Sequence, residues 1–241
     1  MTRFPGILPA VTTPFGPDGA VDAAALATNV AALLEAGVHG LVATGTMGEA
    51  GSLTRDERAG VVATVVEAAA GRVPVVAGVS AGTPGDAAGF ARDAADAGAV
   101  ALMSLPPLGY RGDARRIPAI LAAAPGLEVL VGGDDWALEG LCSGATGWVS
   151  GVAVCAPADC VALYDACRSG DLAQARALYG RLLPLGRLDM TPRLVQFFKA
   201  AQDALGFAGG PVRPPRLPLD DADRATLRAA LDALGAAVPA A

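Results

Sequence analysis

Lysine and histidine are almost missing: the 241 residues contain one of each, Lys199 and His39. A lone imidazole cannot supply the histidines of a zinc aldolase, and no metal or cofactor is expected. Long apolar runs are missing too. No segment approaches 18 uninterrupted apolar residues, and Met1-Thr-Arg-Phe-Pro5 runs straight into a strand-like segment without a charged region followed by an apolar stretch. A cytoplasmic protein with no membrane partner is the expectation. Cys-x-x-Cys spacing is absent. Cys142, Cys155, Cys160 and Cys167 sit in apolar or helical stretches, where buried free thiols are expected in place of a disulfide framework. Clustered positive charge is absent as well, because 17 arginines are scattered through a chain of net charge −6 and pI near 4.7. That excludes nucleic acid and anionic membranes as partners, although local dipoles can still hold a small anion.

What is there is apolar and glycine-rich: 53% hydrophobic residues and 31 glycines describe an α/β protein with ample core-forming side chains. Short β-branched runs alternate with longer alanine-rich helical patterns, the sequence form of βα units on a parallel sheet. Six runs read as strands buried on both faces: Gly6 to Val11, Gly40 to Thr44, Val73 to Val79, Val100 to Leu105, Leu127 to Val131 and Gly147 to Ala153. Helices are signalled by Asp22 before Ala23 to Ala36, by the Thr54-Arg-Asp-Glu57 capping box opening a helix to Ala70, and by Thr83-Pro84 before Gly85 to Ala97. Gly37, Gly71 and Gly98 fall where those helices should stop. From Pro157 the chain reads as helices to Leu234, broken at Ser169-Gly170 and at Gly209 to Pro218.

The most informative segment is Gly40-Leu-Val-Ala-Thr-Gly-Thr-Met-Gly-Glu49, an apolar strand ending in two glycines that flank a threonine and a methionine. Such a turn offers bare backbone N–H groups and one hydroxyl at a strand's carboxyl end, where α/β folds bind anions. It resembles the Gly-Thr-Thr-Gly-Glu signature of the dihydrodipicolinate synthase and N-acetylneuraminate lyase family. The resemblance extends in order through Val11-Thr-Thr-Pro-Phe15 with Asp18-Gly19, Leu53-Thr54 with Asp56-Glu57-Arg58, Val75 to Val79, Pro106-Pro107, Val131 to Asp135, Gly147 to Pro157, and Gly209-Gly-Pro-Val-Arg-Pro-Pro215. It implies a TIM-type (β/α) barrel and a lyase or aldolase that joins pyruvate, or a related 2-oxo acid, to a lysine as a Schiff base.

Against that pattern a block is missing between Tyr110 and Gly112. Family members place there a strand ending in the catalytic tyrosine and a strand ending in the Schiff-base lysine. Here Gly112-Asp-Ala-Arg-Arg116 already resembles the helix that follows the lysine. About two βα units are gone, roughly 50 to 60 residues at about 30 per unit. The expected architecture is therefore a barrel shortened to six βα units over residues 1–168, followed by C-terminal helices over 169–241. Closing a ring of six overpacks side chains sized for eight, at about 1–3 kcal/mol per forced site, whereas an open ring leaves two strand edges bare.

The resemblance assigns Thr46 to a proton relay and, with Gly45, Met47 and the backbones of Gly133 and Val149, to the carboxylate of a 2-oxo acid. Tyr110 stands one position late for the relay tyrosine. Each has a plainer reading: Thr46 as a turn hydroxyl, Tyr110 as a loop tyrosine, Gly133 as a strand-end turn. Met47 replaces the second threonine of the signature, and Val154 replaces a polar asparagine. Asp134-Asp135 before Trp136 read as cap and first-turn residues of a helix more readily than as a metal pair. Lys199, on an amphipathic helix, reads as a solvated charge. Three functions stay open: a Schiff-base lyase whose catalysis is disabled by loss of the lysine, a non-catalytic 2-oxo-acid-binding or homo-oligomer-forming relative, and an internally shortened form of an active lyase.

Overall fold

A computed structural model describes residues 4–104 and 129–235. Among them are six strands, β1 Gly6–Pro9, β2 Leu41–Ala43, β3 Val75–Gly78, β4 Ala101–Met103, β5 Leu130–Val131 and β6 Gly147–Ser150. Eight α-helices accompany them: α1 Ala23–Glu35, α2 Arg55–Ala69, α3 Pro84–Asp96, α4 Ala137–Cys142, α5 Pro157–Ser169, α6 Leu172–Gly186, α7 Leu194–Ala204 and α8 Asp221–Leu234. Pro106-Pro107, Tyr110 and Gly112–Arg116 lie outside the described residues.

All strand pairs are parallel, in two sheets of order β1-β6-β5 and β2-β3-β4. A parallel bridge between Ala10 and Val42, with Val11 N–H donating to the Val42 carbonyl at 2.9 Å, joins them into the wall β5-β6-β1-β2-β3-β4. β4 and β5 each have one described strand neighbour. The sheet's two faces divide the apolar residues, as a strand period of two requires. One face gathers Leu8, Val42 and Val76 with Ala101, Met103, Leu130 and Val149. The other packs Leu41, Ala43, Val75 and Ala77 against Leu26, Val30, Val61 and Val65 of α1 and α2. A third and larger cluster runs from Ile7, Val131 and Trp148 through Leu163, Leu182, Leu185 and Phe198 to Leu231.

Local chemistry sets the helix ends. The Asp22 carboxylate caps α1 by accepting the Ala25 N–H at 2.9 Å. The reciprocal bonds of a capping box join Thr54 and Glu57 at the start of α2, and Thr83 caps α3 ahead of Pro84. Gly37, Gly71 and Gly98 all take positive φ where α1, α2 and α3 stop. Among the described residues no helix is long and apolar enough to cross a membrane.

Candidate functional site

The turn after β2 is held by its backbone. Thr44 leaves the strand at φ 52° and Glu49 closes the turn at φ 53°, both left-handed without being glycine. Residues that large adopt this region only where their surroundings fix it, at about 1–3 kcal/mol each. The fixing contacts are specific. Thr44 Oγ1 donates to the Gly78 carbonyl at 3.1 Å at the end of β3, and Gly78 has no room for a side chain, since a Cβ there would lie 2.3 Å from the Thr44 carbonyl oxygen. Thr13 Oγ1 donates to the Gly48 carbonyl at 2.8 Å, and Glu49 N–H to the Thr46 carbonyl at 3.1 Å.

Within this frame the signature residues separate. Thr46 is exposed, and its hydroxyl has no hydrogen-bond partner among the described residues, whereas Gly45 is buried. Met47 is only 4% exposed and belongs to the large buried cluster. Val149 lies half-buried on the sheet face that carries Leu8 and Val42. Gly133 precedes a short 3₁₀ turn over Asp134–Trp136, and a Cβ at Gly133 would strike the Trp136 indole nitrogen at 2.1 Å. Tyr110 lies outside the described residues. Val154 is fully buried, and its carbonyl accepts from Gln202 Nε2 at 3.4 Å.

Lys199 is not a solvated charge. Its side chain is 1% exposed, and Nζ donates to Glu49 Oε1 at 2.9 Å, the Thr13 carbonyl at 2.9 Å and the Pro211 carbonyl at 2.6 Å. The Phe15 ring lies 4.4 Å from the ammonium. Amphipathicity put the helix on the protein correctly, but its buried face includes the lysine because a fully buried carboxylate waits opposite. Burial draws the Lys199 pKa down, and Glu49 opposes that shift. Glu49, wholly buried, also accepts from the Arg213 N–H at 3.2 Å and lies 3.5 Å from Arg216. Arg213 in turn forks onto Glu57 and the Gly19 carbonyl and holds the Glu57 carboxyl down at about 2. Gly209 is the close-approach residue here, because a Cβ would sit 1.9 Å from the Lys199 carbonyl oxygen.

A second polar node lies at the ends of β5 and β6. Asp134, although it is a first-turn residue as expected, is buried, accepting from Trp148 Nε1 at 2.9 Å and the Val152 N–H at 2.7 Å. Burial, then Asp189, raises its pKa well above the usual carboxylate range. Asp189 is pushed up to about 6 by burial and by Asp135. A Cβ built on Gly151 would lie 3.0 Å from an Asp189 oxygen and 3.1 Å from an Asp134 oxygen, so the two carboxyls face one another across that glycine. The cysteines divide: Cys155 and Cys160 are buried as expected, but Cys142 is exposed and Cys167 half-buried. The last turn of α4 carries Cys142 to the surface.

The chain matches the profile of the Dihydrodipicolinate synthetase family in two segments, residues 3–117 and 111–234. The segments meet where the block between Tyr110 and Gly112 is missing. The 4-hydroxy-tetrahydrodipicolinate synthase of Methanoculleus marisnigri is 32% identical over 291 residues, covering 95% of this chain and 98% of that protein. Because 95% of this chain is about 229 residues, about 62 of the 291 aligned positions have no residue of this chain opposite them. The crystal structure of dihydrodipicolinate synthase from Aquifex aeolicus superposes with a TM-score of 0.89 at 21% identity, over 98% of this chain and 100% of that one. The chloride-inhibited enzyme from Acinetobacter baumannii, complexed with pyruvate, gives 0.84 at 23% identity, over 97% and 100%. The fold is thus α/β and TIM-barrel-like.

Two predictions follow from these nodes. Lys199→Met leaves the Glu49 carboxylate buried without its ammonium, and urea titration should show a loss of about 3–5 kcal/mol. Lys199→Met with Glu49→Gln should lose less than the two single changes added together; strict additivity would show that the pair is not coupled. For Asp189 the folded pKa lies above the unfolded value, so between about pH 4 and pH 6 the folded state binds more protons and stability falls as pH rises. Asp189→Asn should flatten that slope and raise stability at pH 7 by up to about 3 kcal/mol. An unchanged pH profile would remove the carboxyl pair as its cause.

Proposed function

Because the chain belongs to the dihydrodipicolinate synthetase family, we propose that it descends from a Schiff-base aldolase of pyruvate or a related 2-oxo acid and that its own Schiff-base catalysis is disabled. The observation that carries this reading is the state of Lys199. Attack on a carbonyl needs a neutral amine with a free lone pair, held where a substrate can reach it. Lys199 is the only lysine, it is sealed from solvent, and its three N–H bonds are donated to three oxygens. Removing a proton from it would leave the buried Glu49 carboxylate with Arg216, 3.5 Å away, in place of its close ammonium. The missing units of a barrel spanning 1–168, set beside helices over 169–241, are those that would carry the lysine and tyrosine of the family. The split family match near residues 111–117 supports that placement.

What remains is a small-carboxylate site at the Gly45–Glu49 turn, with Thr46 offering its exposed hydroxyl and the backbones of Gly45, Met47, Gly133 and Val149 in the roles that the resemblance implies. Tyr110 has a relay role only where an amine exists to serve. Pyruvate, bound by the Acinetobacter relative, is the natural probe. A homo-oligomer-forming or 2-oxo-acid-binding role fits the same residues. So does an internally shortened copy of an active lyase, and the intact mass together with the gene sequence separates it from the others.

Pyruvate with borohydride should leave no reduced adduct on any residue but the N-terminal amine; an adduct on Lys199 overturns the disabled reading. Pyruvate titrated by NMR should bind in the millimolar range, the affinity of about 4 kcal/mol of hydrogen bonding, and Thr46→Val should weaken it. Equal binding by both proteins would show that the turn is scaffolding alone.

A further inference from the structure

A cavity of about 230 Å³ lies between α7, the loop that follows it and the first turn of α8. Its floor is buried and its rim open. Gln196, Lys199 and Leu219 are at most 9% exposed, whereas Asp203, Pro211, Pro218 and Arg224 reach solvent. One floor group is left unsatisfied. Gln196 Nε2 donates to the Leu217 carbonyl at 3.2 Å, which fixes the direction of the amide, and Gln196 Oε1 is buried without a hydrogen-bond partner among the described residues. We propose that this cavity binds a small neutral phenol, its hydroxyl donating to Gln196 Oε1 and its ring resting on Pro211 and Leu219 beneath the Arg224 guanidinium.

Each part of that ligand answers a feature of the wall. A buried acceptor without a partner calls for a donor. The neighbouring floor cation cannot supply one, because Lys199 has already committed its three N–H bonds to Glu49, Thr13 and Pro211. Neutrality follows from the rim, where the Asp203 carboxylate and the Arg224 guanidinium cancel. Asp203 is moreover engaged in holding the loop, its Oδ1 accepting from the Gly209 N–H at 2.8 Å and the Gly210 N–H at 3.1 Å. The rest of the lining, Ala200, Val212 and the two prolines among it, is apolar and suits a hydrocarbon body.

A ring is favoured over a chain by Arg224, which has no ion-pair partner among the described residues. This fold repeatedly sets its guanidinium groups over aromatic faces, Arg58 over Phe90 at 3.8 Å and Arg213 over Phe15 at 4.3 Å. The volume admits a ring with a substituent, since ~150 Å³ of apolar cavity already encloses benzene. No residue of the Gly45–Glu49 turn lines the cavity, and the proposal stands whatever that turn binds.

The test is a titration of the full chain with phenol, read by saturation-transfer NMR and by the glutamine side-chain signals of the ¹⁵N-labelled protein. Expected is saturable binding in the millimolar range that shifts the Gln196 amide. Toluene has the same shape without the O–H and should bind about tenfold more weakly, the loss of one hydrogen bond. Benzoate and benzylamine should also bind more weakly than phenol. Gln196→Met should bring phenol and toluene to equal affinity, and Ala200→Leu should weaken both by filling the cavity. The comparison of phenol with toluene needs no substitution and decides the matter even where a variant fails to fold. Equal binding of the two by the unsubstituted chain, tighter binding of benzoate or benzylamine, or phenol shifts confined to residues outside α7, the 209–219 loop and α8 would overturn the proposal.

Discussion

The ion pair between Lys199 and Glu49 is the constraint from which the arrangement of the strand ends follows. Both side chains are essentially sealed from water. Desolvating two charges costs several kcal/mol per ion, and their attraction offsets this only when every remaining proton and lone pair is used. Here they are used: the ammonium donates to two further backbone carbonyls, and the carboxylate accepts from the Arg213 backbone. These partners come from the segment after β1 and from the Pro211–Arg213 segment, so satisfying the pair fixes both relative to the turn after β2. α7 thereby holds the residues after β1 through Thr13, the turn after β2 through Glu49, and the Pro211 segment. Gln202, one turn further along, adds Thr12 at 2.6 Å and Val154 after β6.

The Asp134–Asp189 node solves the opposite problem. There, two groups of like sign face each other across Gly151 with no ion-pair partner among the described residues, and burial and mutual repulsion favour keeping a proton. Asp134 nonetheless receives the Trp148 indole and the Val152 backbone N–H, so it serves as an acceptor that stitches β6 to the turn after β5. One node pairs opposite charges, and in the other burial and like charge hold the Asp189 carboxyl up at about 6. The C-terminal helices enter both, α7 through Lys199 and the α6–α7 connection through Asp189.

Much of the scaffold was legible in the chain because its signals are local. The Thr54–Glu57 capping box, the Asp22 and Thr83 caps and the glycine stops of α1 to α3 are decided within a few residues and occur as read. The six apolar runs all contain strands, and within the described residues the strands are shorter than the runs, since an apolar stretch continues past the last ladder bond. Lys199 was misread for a physical reason. Helical periodicity reports which face is apolar, and a single cation on that face is buried only if a distant residue supplies the counter-charge, in this case 150 positions away. A signal was present: among 17 arginines the chain uses lysine once, beside Phe197 and Phe198 and in register with Gln196 and Gln202. A compact ammonium with three donors suits three converging oxygens better than a planar fork does.

The same contacts explain how the signature turn can be held in place by folding alone, whatever its chemistry. Glu49 has a structural task in neutralising Lys199. Thr44 and Gly78 have another, because the left-handed exit from β2 needs the hydroxyl of the first and the missing side chain of the second. Gly48 is enclosed by the Val11 carbonyl and the Thr44 backbone within 3.1–3.3 Å of where a Cβ would stand. Of the five residues from Gly45 to Glu49, the one that departs from the family pattern is Met47, whose side chain points into the large apolar cluster, where a thioether packs without leaving a buried hydroxyl to satisfy. Thr46 alone projects a polar side chain outward with no described partner. Retention of the motif therefore testifies first to folding, and any claim that the turn still meets a ligand rests on Thr46 and on the backbone N–H groups beside it.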